Sequence, residues 1–117
     1  MCGMLYRLVG SIALTIAGLV VYASPTVHAQ SAATINNPTF TYNGQLIPID
    51  RCLNYAQNCD DPNSSSYPAS SAYCRAHGYT TAVNATWVLV SQTYVQGDGS
   101  VCNVPNGCGA ITQIVCQ

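Results

Sequence analysis

The 117-residue chain has no lysine and no glutamate, and its only charged side chains are three arginines and four aspartates. Neutralising phosphate or holding an anionic lipid surface takes clustered basic residues, so the composition argues against nucleic acid and anionic membranes as partners. Long apolar runs are also missing. The longest uncharged one, residues 8–22, falls short of the ~20 residues a membrane span needs. No CxxC knuckle occurs, and a single histidine lies beyond residue 30, so the cysteines lack the spacing of a zinc site. There is no phosphate-binding loop and no internal repeat. No cofactor and no metal are expected.

What is present begins with a leader. Arg7 precedes the apolar run, and small residues at Val27 and Ala29 place a cleavage site before Gln30. Residues 1–29 therefore read as a secretory signal peptide, with a permanent anchor as the lesser alternative, and Cys2 leaves with it. Residues 30–117 keep two arginines, Arg51 and Arg75, against four aspartates. They also keep six cysteines: Cys52, Cys59, Cys74, Cys102, Cys108 and Cys116. A chain this small buries too little apolar surface to be stable with ease, and export into an oxidising compartment makes disulfides the natural remedy. The expected location is extracellular, or periplasmic in a Gram-negative source.

Residues 30–41 are polar and carry the breaker Asn36-Asn37-Pro38, so they read as a loose N-terminal arm, with the disulfide-rich domain over 42–117. Phe40 and Tyr42 alternate with threonines ahead of Asn43-Gly44, a hairpin signal. Pro48 confines the second strand to an edge or a bulge. Residues 52–58 are ambiguous between a helical turn and a loop, and residues 60–68 are a loop. Pro68 pre-sets a helix over 69–77 that Gly78 stops. Its apolar face is Ala69, Ala72, Tyr73 and Ala76, with Cys74 on a neighbouring stripe. Residues 79–95 are the best β region, with a bend at Asn84-Ala85. Two further strands, 100–104 and 110–116, follow turns at Gly97-Asp98-Gly99 and Pro105-Asn106-Gly107. The expected fold is α+β: one short helix packed on a small antiparallel sheet of four or five strands, stapled by three disulfides.

Six cysteines allow fifteen connectivities. The turn residues between Cys102 and Cys108 favour that local bridge, since closing a short loop costs little entropy. For the remaining four, Cys52–Cys116 with Cys59–Cys74 is preferred, because the loop after Cys59 can fold back to the helix. The rival is Cys52–Cys59 with Cys74–Cys116.

Ile49-Asp50-Arg51-Cys52-Leu53-Asn54-Tyr55, Cys59, Pro68-Ala69, Tyr73-Cys74-Arg75 and Gly78-Tyr79 together resemble a family of small secreted cysteine-rich domains of plants and microbes. The family pattern runs approximately L-D-x-C-L-x-W-x-x-x-C-G-x-P-A-A-x-x-F-C-x-x-x-G-[YF]. It closes on I-x-C, as Ile114-Val115-Cys116 does. Tyr55 stands where the pattern has tryptophan, and residues 60–67 replace a shorter Gly-Pro link. The family has no assigned activity, so the resemblance implies the fold and the disulfides alone.

Asp60-Asp61 beside Asn63 is loosely like a calcium loop but lacks its spacing. Asp50 and Asp98 are in no fixed relation to them, so a carboxylate pair is not expected. His77 near Cys74 reads as a helix C-terminal residue, not as the base of a cysteine nucleophile. Arg75 is available to Asp50 or Asp60 for an ion pair. Two sequons are present, at Asn63 and Asn84, with meaning only in a eukaryotic source. Trp87 and Tyr73 read first as core fillers, with Trp87 kept as a possible contact. Tyr55, Tyr67 and Tyr94 are the better candidates for touching a ligand.

The function expected is a non-enzymatic binding module for an extracellular carbohydrate or protein, using aromatic faces and amides. The alternative is a structural or defence-type extracellular protein whose main property is durability. A small hydrolase ranks third.

Overall fold

This computed structural model describes residues 31–117, so the leader expected over 1–29 lies outside the described residues. One helix and nine short strands make up the regular structure of the described residues. The strands are β1 (Ala33–Asn36), β2 (Thr39–Tyr42), β3 (Gln45–Pro48), β4 (Cys52–Asn54), β5 (Gln57–Cys59), β6 (Ala82–Val90), β7 (Thr93–Val95), β8 (Ser100–Cys102) and β9 (Cys108–Cys116). The helix α1 (Pro68–Ala76) sits between β5 and β6. The expected single sheet is replaced by a three-stranded antiparallel sheet, ordered β1-β9-β6, and three two-stranded hairpins: β2-β3, β4-β5 and β7-β8. Turn residues every few positions cut the chain too finely for one broad sheet.

β9 is the centre. Its apolar stretch is uncharged, and Cys108, Ala110, Ile111, Ile114 and Cys116 are all buried on it. β6 pairs along one side, from Ala82↔Cys116 to Val90↔Cys108. The other side is shared by β1 over 113–116 and by the extended segment 49–51. There Asp50 bridges Ala110, and Arg51 N–H donates to the Gly109 carbonyl.

The loose arm expected over 30–41 is therefore corrected. Its Ala33 and Ile35 alternate inward with exposed Thr34 and Asn36, and Ile35 packs on the core. A domain starting at 42 would leave one side of β9 over 113–116 without a partner, β6 pairing only the other. The bend expected at Asn84-Ala85 is also absent. β6 absorbs irregular register between Ala82 and Asn84 and again between Thr86 and Trp87, and it turns only after Val90. Residues 52–58 resolve as the β4-β5 hairpin, neither a helical turn nor an open loop.

The β2-β3 hairpin forms as its Asn-Gly signal implies, since Asn43 and Gly44 both take positive φ, 49° and 80°. Pro48 ends β3, where a missing N–H harms no inner ladder. The β7-β8 turn docks on β4: Gly97 N–H donates to the Leu53 carbonyl at 2.7 Å. A Cβ at Gly97 would stand 2.2 Å from that oxygen, so the contact demands glycine.

Cys102–Cys108 is bridged as expected. The preferred pairing of the other four cysteines is overturned, for the bonds are Cys52–Cys59 and Cys74–Cys116. The hairpin explains the first, because Cys52 and Cys59 are cross-strand partners. The second follows from the helix lying over the sheet, with its buried residues Ala69, Ser70 and Cys74 turned to it. Ala76, expected on the apolar face, is exposed. The bridged cysteine, and not the alanine spacing, selects the buried side.

Candidate functional site

Two aromatic pairs face a common cleft of about 360 Å³ between β2, β7 and α1. Phe40 from β2 stacks on Tyr94 from β7, with centroids 3.9 Å apart and planes 8° from parallel. Tyr42 leans on the same tyrosine at 6.0 Å. Strand alternation puts Phe40 and Tyr42 on one side of the hairpin, so Tyr94 meets both. From the helix, Tyr73 and His77 lie one turn apart and stack at 4.1 Å. The His77 Nδ1 is 2.8 Å from the Tyr73 carbonyl, which holds the ring at the helix end. Thr39 and Gln96 complete the wall, and Ile49 forms an apolar base. The Gln96 amide is itself anchored, donating to the Ala69 carbonyl at 2.9 Å.

No aspartate or arginine lines this cleft. Its chemistry is that of ring faces beside neutral hydrogen-bonding groups, which suits a ligand with both C–H faces and hydroxyls. Phe40 keeps 42 % of its surface exposed, an unusual fraction for the only phenylalanine of the chain.

Of the four aromatic residues singled out from sequence, only Tyr94 reaches the cleft. Tyr67 is a correction: it is buried in the core, and its hydroxyl hydrogen-bonds the Asn84 side chain at 3.3 Å. It is the N-cap residue that leads into the helix. Tyr55 is exposed at the β4-β5 tip and borders a smaller cavity of about 210 Å³. The Cys52–Cys59 and Cys102–Cys108 bridges wall that cavity. Trp87 is half-buried beneath Arg51, whose guanidinium carbon is 4.2 Å from the ring centre. Phe40, Tyr73 and His77 escaped the sequence reading as a site. The alternation of Phe40 and Tyr42 and the four-residue spacing of Tyr73 and His77 were the available signals.

All four aspartates accept hydrogen bonds from within the fold. Asp60 is 1 % exposed and accepts from the N–H groups of Ala69 and Ser70, at 2.9 and 3.3 Å, and from the Ser70 hydroxyl at 2.5 Å. It thus binds the first turn of α1, whose free N–H groups favour a negative charge. Burial holds its carboxyl above the usual range, against the opposing pull of the Ser70 hydroxyl, the two N–H groups and Arg51. Asp50 accepts from Cys52 N–H at 2.8 Å and from the Thr93 hydroxyl. Asp61 closes its own turn through Asn63 N–H and the Ser64 hydroxyl. Asp98 takes the Ser100 hydroxyl, then Tyr55 and Ser100 N–H, and these bonds hold it below the usual range. Arg75 pairs with neither Asp50 nor Asp60, and Cys74 is oxidised. Among the described residues no group of three or more His, Cys, Asp or Glu is placed to hold a metal ion.

The comparisons with known proteins find no match for this chain: no family model, no curated protein and no solved structure.

Proposed function

We propose that the chain is an exported, non-enzymatic binding module whose ligand is an extracellular carbohydrate, held in the cleft of Phe40, Tyr73, His77 and Tyr94. One observation carries this reading. Two stacked aromatic pairs from separate elements converge on one opening, beside an anchored amide. Core packing does not require Phe40 to lie so open. Protein ligands suit aromatic surfaces as well, but the flanking amide favours a sugar ring.

Export is supported by the leader read over 1–29 and by three cysteine pairs, which persist in oxidising compartments. Among the described residues no helix is long and apolar enough to cross a membrane. The likeness to the secreted cysteine-rich family belongs to the same proposal, and it brings no activity with it. Durability as the main property is the second reading. It is favoured by the Cys74–Cys116 bridge, which ties the helix to the central strand.

A glycan-array screen of the oxidised protein separates the two. Selective retention on a neutral glycan class, lost in Phe40→Ala and Tyr94→Ala, is expected. Retention on none of the glycans, with the fold intact, leaves durability as the better account.

A further inference from the structure

The strand β6 forms one edge of the central sheet, and its nine residues, AVNATWVLV, carry no charge and no proline. Folded proteins commonly protect a strand edge with a lysine, a proline, brevity or a cover. None of these guards residues 87–90, and the one irregularity near them in the ladder to β9 falls before Trp87. Val88 and Leu89 are 50 % and 58 % exposed, and Trp87 is half-buried.

The hydrogen bonds of β9 determine which groups of β6 point outward. Gly109 and Ile111 direct their backbone groups to the segment 49–51: Arg51 N–H donates to the Gly109 carbonyl, and Ile111 N–H donates to that of Ile49. Cys108 and Ala110 therefore face β6, where their partners are Val90 and Val88. By alternation, Trp87 and Leu89 turn their N–H and C=O groups away from β9. No backbone hydrogen bond among the described residues reaches them on that side.

We propose that the chain pairs with a second copy of itself along this edge, antiparallel, with the two-fold axis passing at Val88. In that register Trp87 of each copy stands opposite Leu89 of the other, and both residues exchange N–H and C=O with their partner. The axis then lies in the non-bonded position, where Val88 meets its own copy, and Thr86 stands opposite Val90. A two-fold contact must be self-complementary, and any charged side chain near the axis would oppose its own copy. β6 offers none. The pairing covers the apolar side chains Val88 and Leu89 and extends each three-stranded sheet across the axis. Edge pairing alone buries less surface than a standard stable interface, so the dimer is concentration-dependent.

Sedimentation velocity on the oxidised protein, as the expressing cell delivers it, tests this from micromolar to millimolar concentration. The expected result is a shift from monomer to dimer that is lost in Val88→Lys, which sets like charges at the axis. Leu46→Lys, at 71 % exposed and on β3 outside the central sheet, keeps the dimer. Leu89→Pro removes one outward N–H while sparing the ladder to β9, and it provides an independent block. The melting temperature of each variant shows that it is folded. A monomer across the whole range, or dimers undiminished in a folded Val88→Lys or Leu89→Pro, overturns the proposal; so does equal loss in Leu46→Lys.

Discussion

Gly109 lies directly beneath the side chain of Arg51. A Cβ at position 109 would stand 2.5 Å from Arg51 Cδ and 2.8 Å from both Cγ and Nε. The bare backbone lets Arg51 leave the segment beside β9, cross that strand and lie on Trp87 of β6. Gly109→Ala is expected to lift Arg51 from the ring, because the flexible side chain yields before the backbone does. Tryptophan emission should shift to the red, with a stability loss of about 1 kcal/mol, the scale of a partly desolvated cation–π contact. Arg51→Ala should give the same spectral shift without crowding at 109. Unchanged emission in both variants would show that the stack does not persist in solution.

Asp60 is expected to be the most sensitive carboxylate. Asp60→Ala leaves the Ala69 and Ser70 N–H groups and the Ser70 hydroxyl unsatisfied in the interior. A loss of about 2–3 kcal/mol in denaturant unfolding is expected. The pH dependence has a definite sign. The folded pKa lies above the unfolded value, so the folded state holds the proton more tightly. The contribution of Asp60 is complete below the unfolded value of 3.8 and is lost as pH rises through the raised folded value. Asp60→Asn should flatten that part of the stability profile. Exposed Asp98 acts in the opposite sense, with a contribution lost as pH falls through its lowered value.

The three bridges differ in the loops they close. Cys74–Cys116 spans 42 residues, while Cys52–Cys59 and Cys102–Cys108 span 7 and 6. Loop entropy then makes removal of the long bridge cost about 4 kcal/mol, against about 2.5 kcal/mol for either short one. Paired Cys→Ser variants, followed by thermal unfolding, measure the order. A short bridge that proves costlier than the long one would contradict it.

Much of the local structure was legible because its chemistry is local. Asn43-Gly44, Pro68 and Gly78 announce a turn, a helix start and a helix stop, and each takes that role. The β1 strand was not legible, since Ala33 and Ile35 acquire their meaning only when β9 is beside them. The cysteine pairing failed in the same way. Cys52 and Cys59 look free to reach far partners until residues 52–59 fold as a hairpin. At the candidate site, Tyr94 was legible as an aromatic amid polar neighbours. Phe40 read only as a hairpin residue and Tyr73 as a core filler, because nothing in the sequence says that a hairpin and a helix will leave a gap between them.

Export has its own check. N-terminal sequencing of protein recovered from the medium should begin at Gln30 or within a few residues of it, as Val27 and Ala29 imply. An intact Met1 recovered from membranes would refute the leader reading.

The central claim is that the cleft between β2, β7 and α1 receives a neutral sugar. The most direct measurement is an NMR titration of the oxidised protein with soluble neutral oligosaccharides of β-linked glucose, N-acetylglucosamine and mannose. The account predicts that at least one series shifts the ring signals of Phe40, Tyr73, His77 and Tyr94 together, with Tyr67 much less affected. Because no aspartate or arginine lines the cleft, the affinity should hardly change with salt. No shift at saturating sugar, or shifts centred on Tyr55 and Arg51 with steep salt dependence, would contradict the claim.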